Sequence, residues 1–369
     1  MKTASTVKEN NKSSVMQSFT KEHTNIVKGV AIILMLIYHL FESAELLERN
    51  GVNYAPFSEE VFGYFTGFGN ICVSVFVFLT AYGISYGLMG GESFDWKGAY
   101  GKAAKRFAKL MGNFLCLYIS VNLLWGWMLD YASLYGSGKQ GAIAMVTDAL
   151  GLSMFFDTPT LNETWWYMEL AYMLIFLVPL LAFCTRKIGW YILPAAFILQ
   201  YVFPMHSDMM RYFPVVMVGI CAAWGKWPER FMNSRFPLWA KYLIAVPAFV
   251  LCIAIRQNEL VYNSYVPLAD SVIVLFLVLF TADLLGRIPV VSKVFAFIGK
   301  HSMNIYLVHS FFYLILFMDY IYCVPYWAVT VVILLVISLL YSVLLELIKK
   351  GGKKLFSLLP GVNKKTNKA

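Results

Sequence analysis

Long apolar stretches, several of them long enough to cross a lipid bilayer as helices, dominate this sequence. A membrane-spanning helix needs about 17–25 apolar residues. Of the 369 residues 59% are hydrophobic, and only 14% are charged. The pattern predicts an all-α integral membrane protein, a bundle of about ten transmembrane helices, at 26–47, 61–88, 110–132, 164–184, 188–205, 211–226, 238–256, 265–285, 302–324 and 325–348.

Charge placement indicates which side of the membrane each end of the chain occupies. With a cytoplasmic N-terminus, ten spans leave only four of the 30 lysines and arginines outside: Arg49, Lys139, Arg211 and Arg256. This excess of inner cations is what the positive-inside rule describes. Both termini are therefore expected to be cytoplasmic. The net charge of +9 is interpreted as a basic inner membrane face, not as a surface for nucleic acid.

Composition divides the chain into three parts. A polar N-terminal tail at 1–25 precedes one membrane domain at 26–348, and a basic tail follows at 349–369. The polar tail lacks the apolar segment of a cleavable signal, so the first span is expected to be an uncleaved anchor. The six cysteines lie in apolar spans without CxxC spacing, so neither a metal site nor a disulfide framework is expected.

The first span contains an unusual pair of ionisable residues, Lys28 and His39, with ten residues between them. Eleven helical steps of ~100° bring a residue back to within about 20° of its starting direction. The two residues therefore share one face and lie about 16 Å apart along the helix axis. His39 is expected near mid-membrane, where an ionisable group indicates function. Glu42 continues the face and could orient the ring. An imidazole is the usual general base for a hydroxyl, and a packing histidine is the alternative.

A group of cations precedes the third predicted span. Arg106 and Lys109 are spaced i, i+3, which places them on one helical face at the membrane surface. Guanidinium and ammonium groups in this arrangement suit a phosphate-bearing ligand. Ordinary positive-inside topology with snorkelling side chains is the alternative interpretation. The full group is Lys97, Lys102, Lys105, Arg106 and Lys109.

Aromatic and acidic residues open the fourth span. Trp165 and Trp166 are expected at a water–lipid boundary in any membrane protein. Glu169 follows about one turn deeper, and stacked aromatics beside a carboxylate also suit a sugar. Both interpretations stay open.

The ninth span adds a second deep histidine. His309 lies seven residues beyond Ser302, which gives about 10 Å of helical rise and roughly the depth expected for His39. Asn304 lies about a turn and a half below it. No role is assigned to the other three histidines, His23, His206 and His301.

These motifs, in this order, resemble the acyltransferase-3 family of bacterial membrane O-acyltransferases. Lys28 and His39 are similar to the family's Arg or Lys, ten residues, then His. Arg106 and Lys109 look like its R-x-x-R pair, with lysine in place of the second arginine. Stretches at 70–88, 164–181 and 298–311 are similar to further signatures, so the resemblance covers about residues 26–348. It implies the stand-alone form of the family, a multi-pass protein of the bacterial cytoplasmic membrane.

The resemblance implies transfer of an acyl group, commonly acetyl, from cytoplasmic acyl-CoA to a hydroxyl of an envelope or exported glycan. His39 would be the general base, with Glu42 tuning it or binding the sugar. The implied partners are acetyl-CoA as cosubstrate, a glycan acceptor and membrane lipid, with no bound cofactor and no nucleic acid. Direct transfer and an acyl-histidine intermediate both fit.

The resemblance also assigns the remaining candidate residues. The phosphates of the donor are expected on Lys28, Arg106 and Lys109. Acceptor binding or support of the site is expected from Trp165, Trp166, Glu169, Asn304 and His309. An oxyanion donor is needed, and Asn304, His309 and Tyr38 are equally suitable on sequence.

A transporter or flippase for a sugar or glycolipid is the main rival, because it too would hold polar residues at mid-membrane depth. Such proteins often show related halves with broken helices, and no internal repeat is evident here. Acidic residues deep in the spans are few, and Asp283 and Asp319 lie near span ends. A receptor or scaffold without chemistry leaves the shared face of Lys28 and His39 unexplained.

Overall fold

The computed structural model describes residues 17–90, 93–202 and 210–358, with side chains up to 352. Over these ranges the chain is helical without strands, apart from one isolated bridge between Asn53 and Tyr326. Most of both predicted tails, and His206, lie outside the described residues. The α-helices are α1 Lys21–Phe41, α2 Ala44–Asn50, α3 Glu59–Gly69, α4 Cys72–Tyr86, α5 Trp96–Trp125, α6 Tyr131–Tyr135, α7 Gly138–Ala149, α8 Trp166–Ile188, α9 Ile192–Val202, α10 Phe213–Gly225, α11 Trp227–Met232, α12 Leu238–Gln257, α13 Val266–Phe280, α14 Pro289–Lys300, α15 Ser302–Ser310, α16 Met318–Ile321 and α17 Trp327–Leu358.

Shorter helical turns connect several of these helices. The 3₁₀ turns are Gly126–Met128, Glu163–Trp165, Gly189–Tyr191 and Met210–Tyr212. The π-helical turns are Val261–Tyr265, Thr281–Leu285 and Phe311–Leu316.

Seven helical segments in the described part of the chain are long and apolar enough to cross a membrane. One of them, Glu163–Val202, contains the predicted span at 164–184 and the described part of the span at 188–205, and it is interrupted at Gly189, whose φ is +69°. Two further predicted spans correspond to shorter apolar helices, Met210–Gly225 and Ser302–Leu316. The protein is thus an all-helical, multi-pass membrane protein, while the number of ten spans stays a prediction.

Helix α1 is displaced relative to its predicted boundaries. It begins at Lys21 rather than 26, because the Thr20 side chain caps it by accepting from the backbone N–H of His23. It ends at Phe41 rather than 47, because Ser43 takes an extended conformation and caps α2. His39 therefore lies in the last turn of the first helix, nearer its end than the predicted span implied.

Helix α5 begins well before its predicted start at 110. Asp95 caps it by accepting from the backbone N–H of Gly98. The cations from Lys97 to Lys109 therefore lie on the first half of a long continuous helix, and the connecting stretch that was expected to reach Lys109 ends at Asp95.

Helix α1 is the central element, and it packs most extensively against α14. The two helices approach so closely that a Cβ at Gly299 would lie 1.8 Å from the Asn25 carbonyl oxygen. A Cβ at Gly29 would lie 2.2 Å from the carbonyl oxygen of Phe295. Only glycine fits such a contact. Helices α3, α4, α15 and α17 also pack against α1.

Two buried ion-pair clusters join the helices around α12 and α13. Arg256, expected outside, is 1% exposed and donates through Nε to Asp270 Oδ1 at 2.8 Å. Asp270 also accepts from the Ser74 hydroxyl at 3.0 Å. Lys241 and Arg287 both pair with Asp283, at 2.5 and 2.6 Å. The sequence analysis did not identify Asp270 as an acidic residue deep in a span, and the structure shows that Arg256 neutralises it.

The stretch between α5 and α8 folds into a small cap, which we call the Asp148 cap (residues 131–162). The Asp148 carboxylate accepts from the Tyr135 hydroxyl at 2.5 Å and from the Leu161 backbone N–H at 2.8 Å. It also accepts from the hydroxyls of Thr160 and Ser153, at 2.7 and 3.0 Å. Burial raises the pKa of this carboxyl, while the four donors oppose the rise.

Candidate active site

His39 and Glu42 form a hydrogen-bonded pair at the end of α1. The distance from His39 Nδ1 to Glu42 Oε1 is 2.8 Å. An ionised carboxylate only accepts, so Nδ1 carries the proton and Nε2 presents its lone pair. Nε2 finds no hydrogen-bond partner in the described part of the chain. The side chain of His39 is 19% exposed, so this basic nitrogen is accessible rather than sealed in the core.

His309 lies against His39, as their similar predicted depth suggested. The two ring centroids are 4.9 Å apart. His309 is fully buried, and its Nδ1–H donates to the Tyr306 carbonyl oxygen at 2.7 Å. Its Nε2 is buried without a partner among the described residues. A neutral His309 in this tautomer offers a second acceptor beside His39, so it does not supply a hydrogen to an oxyanion.

Helix α15, which carries His309, is fastened to the start of the fourth predicted span. Trp165 Nε1 donates to the Leu307 carbonyl oxygen at 2.9 Å, and the Tyr306 hydroxyl donates to the Thr164 carbonyl oxygen at 3.0 Å. On the other side, the Tyr322 hydroxyl donates to the Leu40 carbonyl oxygen at 2.8 Å and holds the end of α1. These hydrogen bonds hold the backbone of α15, which carries His309, and the backbone at the end of α1, which carries His39.

A cavity of about 260 Å³ opens around His39 and Glu42, and we call it the histidine cavity. Its lining is predominantly polar, and one wall is the break between α3 and α4 at Asn70. Arg211 contributes a cation whose Nε is buried without a hydrogen-bond partner in the described ranges. The lining residues are Tyr38, His39, Glu42, Asn70, Cys72, Val73, Trp166, Arg211, Tyr212 and Tyr306.

A second cavity, of about 360 Å³, lies between the Asp148 cap and the start of α8, and we call it the outer cavity. Trp165, Trp166 and Glu169 all line it. Trp166 also lines the histidine cavity, so the two cavities adjoin at this ring. The structure thus gathers Trp165, Trp166 and Glu169 around one cavity, and Trp166 also lines the cavity that contains His39.

Asn304 lies apart from these cavities, in a polar network between α5, α15 and α17. It accepts from the Asn113 amide at 3.0 Å and donates to the Ser342 hydroxyl at 2.9 Å. His301, to which no role was assigned, is buried and bonded to the same hydroxyl at 2.8 Å. Lys349 and Glu346 complete the network. The Asn304 side chain is engaged here and is not among the residues that line either cavity.

The predicted donor-binding cations lie on different helices, with Lys28 on α1 and both Arg106 and Lys109 on α5. Arg106 donates to the carbonyl oxygen of Gly83, on α4, at 3.4 Å. On α1, Ile32 and Met35 separate Lys28 from His39 along the shared face, and neither has exposed surface. That face is therefore closed by packing between the basic residue and the imidazole.

Sequence reasoning missed two residues of this region. Arg211 was counted only as an outer cation, and its separation from His39 along the chain gave no signal of a common cavity. Asp148 lies on α7, in the stretch that was expected only to connect the third and fourth spans. The hydroxyl residues that follow it, from Ser153 to Thr160, are the sequence signal that could have found it.

This arrangement provides a basic nitrogen oriented by a carboxylate, opening into a polar cavity that holds an unpaired arginine nitrogen. It is suited to removing a proton from a hydroxyl and to stabilising a developing negative charge. Comparison with known proteins finds no match among curated proteins and none among solved structures. A family model described as an acyltransferase domain matches residues 24–347. The match includes the Lys28–His39 pair, the cations of α5, the start of α8 and α15, and the chain therefore belongs to the acyltransferase-3 family of membrane acyltransferases.

Proposed function

We propose that this membrane acyltransferase moves an acyl group, most simply acetyl, from cytoplasmic acyl-CoA to a hydroxyl of an envelope or exported glycan. The observation that carries the proposal is the His39–Glu42 pair, with Nε2 of His39 unpartnered in the histidine cavity. Family membership supports the reaction class. The bacterial cytoplasmic membrane is the location at which such a donor and acceptor meet.

In the proposed reaction, Nε2 of His39 takes the proton of the acceptor hydroxyl while the hydroxyl oxygen attacks the thioester carbonyl carbon. The carbon–sulfur bond breaks, and the departing thiolate takes the proton back from His39. The Glu42 carboxylate keeps the imidazole in the required tautomer and stabilises the imidazolium. Direct transfer through this geometry requires no covalent enzyme intermediate.

The proposed reaction needs an oxyanion donor, and the contacts of the three candidates suggested by the sequence differ. Asn304 is bonded within the network of α5, α15 and α17, and neutral His309 presents an acceptor nitrogen. Tyr38 lines the histidine cavity, but its hydroxyl is engaged by the Glu42 carboxylate. Arg211, in the same cavity with an unpaired Nε, is a further donor. We therefore favour Arg211 at the oxyanion.

For the donor we propose that Lys28, Arg106 and Lys109 attract the phosphates of acyl-CoA at the basic end of the bundle. The acyl arm has to cover about 16 Å to reach His39. Ile32 and Met35 fill that face of α1 in this structure. The proposal therefore requires α1 or a neighbouring helix to move when the donor binds.

Label transfer tests the proposed function. Membranes containing the protein are incubated with radiolabelled acetyl-CoA and a crude envelope glycan fraction. We expect labelled glycan with the native chain. The label should fall by about 10²–10⁴-fold in His39→Ala and in His39→Gln, because neither side chain acts as a base. Full transfer by either variant, in protein that elutes normally on size exclusion, would overturn the role of His39.

The same membranes separate the enzyme from its main rival. Vesicles loaded or bathed with the glycan fraction report sugar movement independently of acylation. Movement of sugar without any transferred label would support a transporter and contradict the proposed acylation.

A further inference from the structure

The outer cavity carries an unsatisfied buried carboxylate oxygen that no step of the proposed reaction uses. Glu169 is only 5% exposed. Its Oε1 accepts from the backbone N–H of Phe155 at 3.0 Å. Its Oε2 is buried without a partner among the described residues, although the side chain lines the cavity. A buried carboxylate oxygen left unsatisfied is costly, so the cavity favours a ligand that supplies an O–H or N–H there.

The remaining lining shows what kind of ligand fits. Besides Glu169, the acidic residues Asp148 and Glu163 line the cavity, and none of its lining residues is lysine, arginine or histidine. Asp148 is already satisfied by four donors, two of which are the lining hydroxyls of Ser153 and Thr160. The electrostatic field of these acids attracts hydroxyl and ammonium groups and repels carboxylate, phosphate and sulfate.

The cavity has the size and the walls of a small-molecule site. Its volume of about 360 Å³ falls in the usual range of roughly 300–1,000 Å³. Trp165 supplies a buried apolar wall, since its Nε1–H is already committed to the Leu307 carbonyl oxygen. Trp166 is partly exposed and lines both cavities. A ring bound in the outer cavity therefore lies next to a ring whose hydroxyl is at His39.

We propose that the outer cavity is a second acceptor subsite that binds an uncharged or amino sugar adjoining the acylated unit and excludes an acidic one. This inference rests on the proposed function, because it assigns the neighbouring histidine cavity to the reacting sugar. It defines the acceptor as a glycan of at least two units. Glu169 selects the unit that is not acylated.

Binding of three disaccharide probes to the full-length protein in nanodiscs tests this subsite. The probes are cellobiose, the β-1,4-linked disaccharide of glucosamine, and digalacturonate, measured by saturation-transfer NMR with titration. We expect the amino and neutral probes to bind at least about tenfold more tightly than digalacturonate, because each 1.4 kcal/mol of charge discrimination is tenfold in affinity. Equal affinity for all three, binding of digalacturonate alone, or binding of none would overturn the inference.

Glu169→Gln supplies the matched variant, since glutamine keeps an oxygen for the Phe155 N–H but removes the charge. We expect weaker binding of the glucosamine disaccharide by about tenfold and a smaller difference between the amino and acidic probes. Glu48→Gln, a change of the same kind on the exposed surface of α2, should alter neither. An unchanged charge preference in Glu169→Gln would contradict the role of Glu169, and the probe series on the native chain still tests the subsite if the variant fails to fold.

The label-transfer experiment separates this inference from the proposed function. If label transfer depends on His39 but the outer cavity shows no charge selection, the proposed enzymatic function is supported and the subsite is contradicted. If charge selection depends on Glu169 but no label is transferred, the sugar-binding site is supported and the proposed enzymatic function is contradicted.

Discussion

At the scale of single residues, the function of His39 depends on which of its nitrogens carries the proton. The 2.8 Å contact with Glu42 assigns the proton to Nδ1 and leaves the lone pair of Nε2 available for the proposed role as base. Without the carboxylate the imidazole loses this preference and rotates more freely. Glu42 is thus expected to matter for turnover even if it never touches the acceptor.

Glu42→Gln tests the orienting role. The amide no longer stabilises the imidazolium, so we expect kcat for acyl transfer to fall by about tenfold or more, with a smaller change in KM for acetyl-CoA. The measurement is the initial rate of label transfer across a pH series, in which loss of the carboxylate should also shift the pH profile. Glu45→Gln, three residues further on and exposed on α2, is the control and should retain native kcat. A native pH profile and kcat in Glu42→Gln would contradict the paired arrangement.

At the scale of helices, the position of the site depends on how closely α1 and α14 pack. Gly299→Ala places a methyl group 1.8 Å from the Asn25 carbonyl oxygen, so the two backbones must separate. We expect a loss of stability of at least about 1–3 kcal/mol, seen as a lower Tm and as aggregation on size exclusion. Gly112→Ala, in α5 with nothing within 4 Å of the added Cβ, should be neutral or slightly stabilising. Equal Tm values for the two variants would contradict the close approach.

A second prediction at this scale concerns the buried ion pair between Arg256 on α12 and Asp270 on α13. Asp270→Asn leaves Arg256 as an uncompensated charge that is 1% exposed, which typically costs about 3–5 kcal/mol. Ser74→Ala removes only a hydroxyl donor to the same carboxylate and should cost about 1 kcal/mol. Thermal unfolding of both variants in the same detergent gives the comparison. A smaller fall in Tm for Asp270→Asn than for Ser74→Ala would show that the pair does not stabilise the fold.

Hydrophobic pattern and spacing predicted the existence of α1 and its shared face, but not where the helix ends. The common face of Lys28 and His39 follows from helical periodicity alone, whereas the end of α1 at Phe41 depends on Ser43 capping the next helix. The start of α5 was missed because cations on a helix and cations in a loop look alike in composition. Close contacts such as Gly299 with Asn25 require knowledge of the partner helix, which no single-sequence pattern supplies.

The candidate site was predictable to the extent that its residues share an element. His39 and Glu42 lie on consecutive turns of one face, so their contact followed from spacing. His309 was expected only at a similar depth, and its contact with His39 depends on how α15 is fastened to the start of α8. Arg211 joins the same cavity through tertiary packing alone. The placement of Asn304 in a separate network likewise depends on α5 and α17.

At the scale of the whole molecule, the two cavities and the predicted donor cations lie toward opposite ends of the bundle. Lys28 and His39 are separated by about 16 Å along α1, and the face between them is filled by Ile32 and Met35. Under the proposed function, this arrangement would keep the acyl donor and the acceptor on separate sides until a helix moves. The proposed function therefore requires one definite orientation in the membrane, with the end that carries Glu42 and the Asp148 cap outside.

Site-directed labelling tests this orientation. Lys139 lies in the Asp148 cap and Lys102 on α5, and both side chains are exposed. In a Cys116→Ser, Cys323→Ser background, which removes the two exposed native thiols of the described residues, Lys139→Cys should react with a membrane-impermeant maleimide in intact cells. Lys102→Cys should react only after permeabilisation, since the positive-inside rule places the α5 cations in the cytoplasm. The reverse pattern would put the histidine cavity on the side of acyl-CoA and the basic residues on the far side, and transfer to an external glycan by the proposed route would then be ruled out.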